Sequence, residues 1–312
     1  MINRRQSEIV KLTCGTSLYR MIKGPMSKRK RPPRSARSRI NAPRTSGTTI
    51  RAGSKEISRS GGKSITHGGH PHGLWLFGVH AVAAAMDNPN RRRHRLIATK
   101  QGHESLQKAL PDRHPDSFNA EFVDRAEIDA VCGPDNVHQG LALLVDPLPD
   151  LHVEDVIAPE DQAPDTLVVL DQATDPRNIG AVMRSARAFG ARALIIQDRN
   201  APPETGTMAK AASGALEHVS LVRVTNLARA IWTLKDAGYW CLGLDGFSED
   251  DIGSVDPTPR RVIVLGAEGT GLRRLTRETC DQLVRIPMDS AQESLNLSNA
   301  AAIALYVVTR SR

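Results

Sequence analysis

Three patches of polar and glycine residues lie in the second half of the chain, and each follows an apolar run. In the first, DQATDPRNIGAVMRSARAFG (171–190), we expect a strand to end at Asp171 and Asn178 to cap a helix that carries Arg184. Loops at the carboxyl ends of strands are where open α/β sheets bind ligands. The patch is therefore a candidate site, although Asn178 alone also fits a simple helix cap and Arg184 a solvated charge.

The second patch, LGAEGTGL (265–272), looks like a phosphate-binding loop but lacks its chemistry. A Walker loop continues its glycines with Lys and a hydroxyl residue, whereas Leu272 follows Gly271 here. The order G-x-x-G-x-G also differs from the G-x-G-x-x-G of dinucleotide-binding folds. Because Glu268 would repel a polyanion, the patch indicates either a plain turn or a backbone that approaches a cationic or zwitterionic ligand.

In the third patch, IPMDSAQESLNLSNAAAIALYVV (286–308), we expect a strand to end at Pro287 and an alanine-rich helix to begin near residues 293–296. Polar side chains crowd the start of that helix, where capping requires only one of them. Beside apolar Leu295 and Leu297 they can form the edge of a pocket. These polar residues are Ser294, Asn296, Ser298 and Asn299.

The elements that would position the patches form an α/β domain, residues 166–312. Its apolar runs are nearly continuous rather than alternating, which indicates a parallel sheet covered on both faces. The predicted strands are 166–171, 193–197, 220–224, 239–245, 261–266 and 282–287. The predicted helices are 178–189, 206–217, 226–237 and 294–309.

Upstream, residues 73–148 alternate strand and helix patterns at a spacing that predicts a second, smaller α/β domain. Its first strand begins near Leu74, and its last lies within HQGLALLVDPL (138–148). The stretch 149–165 is rich in Pro and Asp, which is typical of a linker.

Positive charge is concentrated in residues 1–72. They hold 17 of the chain's 42 Lys and Arg residues but 2 of its 34 Asp and Glu residues, so the net charge of +8 comes from this segment. Few apolar residues and no periodicity predict a disordered basic tail, which is either simply solvated or an arm that contacts RNA phosphates. His67, His70 and His72 lie in glycine-rich sequence that favours a flexible stretch over a metal site.

Cysteine usage and hydropathy indicate the compartment. No run of about 18 apolar residues predicts a membrane helix, and the first residues lack the apolar core of a signal peptide. Cys14, Cys132, Cys241 and Cys280 form no C-x-x-C pair, which argues against a zinc ribbon or a disulfide framework. We therefore expect a cytoplasmic protein without a metal.

Taken together, the three patches are similar to the signature motifs of the SpoU/TrmH family of RNA 2′-O-ribose methyltransferases, within the SPOUT superfamily. The family pattern N-x-G-A-x-x-R-x-A matches residues 178–186, G-x-E-G-x-G matches 266–271 and S-L-N-x-S matches 294–298. The resemblance extends over about residues 74–310. One departure is Asn299, where the pattern more often has an apolar residue.

This resemblance implies that residues 166–312 form a SPOUT domain with a deep trefoil knot, a rare exception to unknotted topology. It also implies S-adenosyl-L-methionine as the methyl donor, held by backbone of the second and third motifs. The implied cofactor-binding residues are Leu265, Gly266, Gly271, Ile286, Met288 and Leu295. The implied catalytic residues are Arg184, Asn178, Glu268, Ser294 and Asn296.

In the implied reaction a ribose 2′-hydroxyl attacks the methyl carbon, and a base should accept its proton. The family's candidate is Arg184, but an arginine is normally protonated and can instead stabilise the developing alkoxide. Asn178, Ser294 and Asn296 would orient Arg184, the ribose or the donor. Glu268 would either fix the loop or contact the substrate.

The resemblance also implies the RNA partner. FGVHAVAAAM and HQGLALLV look like the small L30e-like RNA-binding domain that precedes the catalytic domain in the rRNA branch of the family. That branch implies a guanosine of 23S ribosomal RNA as the target, and the superfamily implies a homodimer through the knotted domain. Basic runs that either contact RNA or form solvated faces are 90–95, 223–229, 259–261 and 272–277.

Two other functions remain open. One is a tRNA 2′-O-methyltransferase of the same fold, which the additional N-terminal domain disfavours. The other is a non-catalytic RNA-binding factor in ribosome assembly, which the intact motifs disfavour. A nicotinamide-binding Rossmann enzyme is excluded by the glycine order.

Overall fold

The computed structural model of the protein describes residues 73–110, 119–256, 258–289 and 294–310. The predicted disordered tail, residues 1–72, lies outside the described residues, and so do His67, His70 and His72. In the four described ranges, no helix combines the length and the apolar character needed to cross a membrane.

Residues 73–148, which we refer to as the first domain, contain a four-stranded sheet and three helices, so the strands and helices expected upstream are present. The sheet order is β1-β4-β2-β3, with β4 antiparallel to β1 and β2, and with β3 parallel to β2. The elements are β1 (Leu74–Phe77), α1 (Val79–Asp87), β2 (Arg93–Ala98), α2 (Lys100–Ala109), β3 (Ala120–Phe122), α3 (Arg125–Cys132) and β4 (Leu141–Val145).

A buried histidine fixes the loop that leads into β4. His138 is 1% exposed, and its Nε2 lies 2.9 Å from Asp129 Oδ1. Its Nδ1 accepts the Gly140 N–H at 3.1 Å, so the ring proton lies on Nε2 and is donated to Asp129. Gly102 of α2 packs closely against the same loop, because a β carbon there would lie 2.0 Å from Gly140 O.

The connecting segment is packed against the second domain. It contains short 3-10 helices at Glu154–Val156 and Glu160–Gln162, and Leu151 forms an isolated parallel bridge with Val222. Val156 and Ala158 are buried. The segment predicted as a linker is therefore ordered by its own apolar contacts.

The second domain contains a six-stranded sheet in the order β10-β8-β9-β5-β6-β7. Every neighbouring pair is parallel, which confirms the prediction made from the continuous apolar runs. The strands are β5 (Asp165–Leu170), β6 (Ala193–Gln197), β7 (Ser220–Val224), β8 (Trp240–Leu244), β9 (Arg260–Leu265) and β10 (Gln282–Val284).

Helices cover both faces of this sheet, and β5 shows the division. Val168 and Leu170 belong to the apolar core that includes residues of α4, α5 and α8, whereas Leu167 and Val169 belong to the core that includes α6. The helices are α4 (Pro176–Ala188), α5 (Gly206–Ala212), α6 (Leu227–Asp236), α7 (Arg274–Thr279) and α8 (Leu297–Arg310).

Some element boundaries differ from the sequence-based expectation. Asn178 does not cap α4, because Asp175 does: its Oδ1 accepts the Arg177 N–H at 2.9 Å and Pro176 occupies the first helical position. Strand β10 ends at Val284 instead of Pro287, and α8 begins at Leu297. Helix α7 was not expected at all.

A buried charge cluster joins the two domains. Arg91, 2% exposed, pairs with Glu204 at 2.8 Å and with Glu217 at 2.6 Å. Asn88 also donates to Glu217, at 2.7 Å. Burial lowers the pKa of Arg91, but hydrogen bonding and charge from the two glutamates outweigh it and raise the pKa. The arginine therefore stays charged between the domains.

Candidate functional site

A cleft of about 550 Å³ opens at the carboxyl ends of three neighbouring strands. Its walls are the segments that follow β8 (244–247), β9 (265–272) and β10 (284–289), together with the start of α8. In a parallel sheet these ends meet at one edge, which is the usual position of ligand sites in α/β folds.

The cleft brings together most of the predicted site residues. Leu265, Ile286 and Leu295 supply apolar wall, and Met288 is 39% exposed at the same cleft. Arg184 and Asn178 do not belong to the cleft lining, and neither does Asn296. The predicted site residues that line the cleft are Leu265, Gly266, Glu268, Gly271, Ile286, Met288, Ser294 and Leu295.

Glu268 connects the three sequence motifs through one carboxylate oxygen. Its Oε1 accepts hydrogen bonds from Asn178 Nδ2 at 3.0 Å, Asn296 Nδ2 at 2.9 Å and the Leu297 N–H at 3.0 Å. Asn296 Nδ2 also lies 3.1 Å from Asn178 Oδ1. We call these four residues the Glu268 cluster.

The Glu268 cluster explains a carboxylate within a glycine loop. The negative charge lies at the start of α8, where the helix dipole and the free Leu297 N–H favour it. Asn296 Oδ1 then accepts from the Ser298 N–H at 2.9 Å and Oγ at 2.6 Å, so Asn296 also caps α8. Asn178, placed in the first turn of α4 by the Asp175 cap, holds the motifs together.

The glycines of the second motif allow a tight loop. Ala267 and Gly271 exchange backbone hydrogen bonds of 3.1 and 2.9 Å. Gly271 has φ +67°, a conformation that favours glycine. A β carbon on Gly266 would lie 2.0 Å from the Gly271 carbonyl carbon, so this position accepts only glycine without rearrangement.

Arg184 lies on α4 with its side chain exposed. Within the described residues, no acidic side chain or hydrogen-bond acceptor contacts its guanidinium. The six-residue separation from Asn178 corresponds to about 9 Å along the helix axis. The arginine is therefore available to a ligand rather than occupied by the fold.

Two ion pairs lie beside the cleft, and the sequence pattern did not predict either of them. Asp171, 1% exposed, accepts from Arg273 Nε at 2.7 Å and from its backbone N–H at 3.0 Å, and so anchors the end of the glycine loop. Arg277 pairs with Asp245 at 2.8 Å. The only sequence signal was the position of Asp171 at a strand end.

The three arginines of the run 272–277 all form ion pairs, since Arg274 also pairs with Glu278, at 2.8 Å. Arg274 is 82% exposed, so an RNA contact by this run stays a prediction. The run 259–261, by contrast, is interior: Arg260 donates to Ala158 O at 2.6 Å, and Arg261 donates to Val308 O. Buried arginines that already donate to backbone carbonyls add little electrostatic attraction for RNA phosphates.

The other two runs are also largely engaged. Arg91 is buried, and Arg95 pairs with Glu121 at 2.7 Å. Arg223 donates to Pro202 O at 2.6 Å, whereas Arg229 of the same run is exposed.

Across the described ranges, no group of three or more His, Cys, Asp and Glu side chains is arranged to hold a metal ion.

Two protein-family models match the chain. The SpoU rRNA Methylase family matches residues 165–306, which contain the parallel sheet and all three motifs. The family described as RNA 2′-O ribose methyltransferase substrate binding matches residues 75–151, which contain the four-stranded sheet.

Curated relatives match along nearly their whole length. The chain is 38% identical over 242 residues to the 23S rRNA (guanosine-2′-O-)-methyltransferase RlmB of Vibrio vulnificus, covering 76% of this chain and 97% of that protein. It is 37% identical over 240 residues to RlmB of Pasteurella multocida, covering 76% and 98%.

A solved structure shares the fold. The SpoU methyltransferase AviRb from Streptomyces viridochromogenes, in complex with the cofactor AdoMet, aligns with a TM-score of 0.64 at 23% identity, covering 76% of this chain and 89% of that one. Fold, motifs and relatives agree, and the chain belongs to the SpoU family of RNA 2′-O-ribose methyltransferases.

Proposed function

We propose that the protein transfers a methyl group from S-adenosyl-L-methionine to the 2′-hydroxyl of a guanosine ribose in 23S ribosomal RNA. The observation that carries this proposal is the Glu268 cluster, which joins the three family motifs beside a cleft of ligand size. The named activity of the RlmB relatives supports the choice of substrate.

The cleft fits the methyl donor in size and chemistry. Leu265, Ile286 and Leu295 offer apolar surface to an adenine ring, and the glycine loop lets backbone approach the ligand. The negative charge of Glu268 disfavours a phosphate ligand. It is compatible with S-adenosylmethionine, which carries a positively charged sulfonium and no phosphate. S-adenosylmethionine supplies the electrophilic methyl group.

Arg184 acts on the ribose in this proposal. Its guanidinium, which no described side chain contacts, would lie beside the 2′-oxygen and stabilise the negative charge that develops there as the hydroxyl proton passes to water. Ser294, which lines the cleft, would orient the donor, whereas Asn178 and Asn296 lie outside the cleft lining, are positioned by Glu268, and would orient the ribose. Such positioning supplies much of the acceleration in a two-substrate reaction.

The proposal includes the architecture expected of the superfamily. We infer a deep trefoil knot, because β10 follows β9 in the chain yet pairs with β8, and α8 returns to pack against α4. We infer a homodimer through this domain, supported by Ile303 and Tyr306, which are 37% and 48% exposed on α8. We also infer that the first domain is L30e-like and binds rRNA. For the whole protein we infer a cytoplasmic location.

A transfer assay tests the substrate class. Purified protein, labelled S-adenosylmethionine and either unmodified 23S rRNA or bulk tRNA are incubated separately. We expect label in 23S rRNA, whereas label in tRNA alone would favour the tRNA enzyme. A calorimetric titration with S-adenosylmethionine that shows no binding would favour a non-catalytic assembly factor.

A further inference from the structure

Few arginines of the described residues lack an internal partner and are therefore available to bind RNA. Most arginines of the described residues form an ion pair or a guanidinium hydrogen bond within the protein. Those left with neither, within the described part of the chain, are Arg177, Arg184, Arg187, Arg199, Arg229 and Arg285.

Half of this set lies on α4. Arg177, Arg184 and Arg187 are all exposed, and we call them the arginine stripe. Seven residues make almost two helical turns, so Arg184 lies above Arg177 within about 20° around the axis, and Arg187 lies about 60° further. The stripe spans about 15 Å along the helix.

Both ends of the stripe adjoin functional parts of the molecule. Arg177 immediately precedes Asn178 of the Glu268 cluster. At the other end, Gly214 lies between Arg187 and α1 of the first domain: a β carbon there would be 3.6 Å from Arg187 Nη1 and 2.9 Å from Ala84 Cβ. Burial and then the charge of Arg187 lower the pKa of His218, which places this arginine at the same junction.

We propose that the arginine stripe is a phosphate track, in which Arg177 and Arg187 bind backbone phosphates of the substrate RNA on either side of the target ribose, between the motif loops and the first domain. The inference rests on the proposed function, since Arg184 within the stripe is assigned to the target ribose. Planar guanidinium groups without internal partners suit phosphate oxygens. Charge on one helix face also gives affinity that does not depend on base sequence.

The salt dependence of RNA binding tests the track. Dissociation constants for unmodified 23S rRNA are measured across a salt series for wild type, Arg177→Ala, Arg187→Ala and the double variant. Each lost phosphate contact should reduce the slope of log affinity against log salt by about 0.7 to 0.9. The affinity for S-adenosylmethionine should stay at the wild-type value.

Arg229→Ala is the matched control. Arg229 is an exposed arginine without a guanidinium partner in the described residues, and it lies on α6, across the sheet from α4. It removes the same charge and should leave the slope unchanged. Thermal unfolding of all variants should stay close to wild type, because within the described residues none of these guanidinium groups forms an ion pair or a hydrogen bond that the substitution removes.

Three results would overturn the track. They are a wild-type slope in the double variant, an equal loss of slope in Arg229→Ala, and weakened S-adenosylmethionine binding in place of weakened RNA binding. A wild-type protein that binds RNA but transfers no methyl group would instead contradict the proposed function, while the slopes would still report on the stripe.

Discussion

At the level of single residues, Glu268 is the centre of the site. Three donors converge on its Oε1, from residues 28 to 90 positions away in the sequence. The loop motif could be recognised from the sequence, but its role could not, because hydrogen bonds between such distant residues depend on the folded topology. The structure favours loop fixation over substrate contact.

Replacing Glu268 separates positioning from chemistry. Glu268→Gln keeps an oxygen at the Oε1 position, so we expect most methylation to remain. Glu268→Ala removes the acceptor of three hydrogen bonds, but water can replace it because Glu268 and Asn296 are exposed, so the free energy of unfolding should fall by only about 0.5–1.5 kcal/mol. The misplaced loop should lose most of the affinity for S-adenosylmethionine. Calorimetric affinity and thermal unfolding measure both effects; equal inactivity of the two variants would show that the charge itself takes part in the reaction.

Gly266→Val tests whether the glycine loop forms the donor site. The new β carbon would lie 2.0 Å from the Gly271 carbonyl carbon, so the loop must open. We expect donor affinity to fall by more than tenfold while rRNA affinity is retained. Gly253→Ala is the control, because Gly253 lies outside the cleft and a methyl group there would meet only the side chain of Asp251, at 3.3 Å. Unchanged donor binding in Gly266→Val would place the donor elsewhere.

At the level of elements, the parallel strands were predictable and the short or polar elements were not. Strands β5 and β9 are buried along their whole length and therefore have nearly continuous apolar sequences. Helix α7 has no apolar face that a pattern could reveal, since its buried residues are Thr276 and Thr279. The cap at Asp175 was missed although the Asp-Pro pair is itself a helix-start signal.

The cysteines of the described elements should be unreactive. Burial raises the pKa of Cys132 and of Cys280 to about 12, and raises that of Cys241 on β8 still further. A raised pKa keeps the thiol protonated at neutral pH, and only the thiolate reacts. A Cys14→Ser variant leaves only these three cysteines to react. In its folded state we expect alkylation by iodoacetamide at pH 8 to be over a hundredfold slower than in denaturant. Equal rates would contradict the burial.

At the level of the whole molecule, the Arg91 cluster couples the two domains. Arg91→Leu leaves Glu204 and Glu217 buried without their cation, which should destabilise the protein by about 3–5 kcal/mol. The neighbouring Arg92→Ala is the control, since Arg92 is 80% exposed and lies 3.7 Å from Asp146, a pair worth under about 1 kcal/mol. Equal unfolding temperatures of the two variants would contradict the coupling.

The pairing of charged side chains is a second property of the whole molecule. The basic runs of the sequence predict either RNA contacts or solvated faces, and the choice depends on ion pairs with neighbours that only the fold supplies. Arg260 and Arg261 are buried, whereas the arginine stripe is exposed although α4 has no basic run in its sequence. A surface for RNA is therefore identified by which charges remain unpaired.

The most direct test of the central proposal is the chemical identity of the product. Unmodified 23S rRNA is incubated with labelled S-adenosylmethionine and either wild type or Arg184→Ala, then digested to nucleosides and separated. We predict labelled 2′-O-methylguanosine with wild type and almost none with Arg184→Ala, although that variant binds the donor normally. A base-methylated nucleoside, or undiminished 2′-O-methylation by Arg184→Ala, would contradict the account.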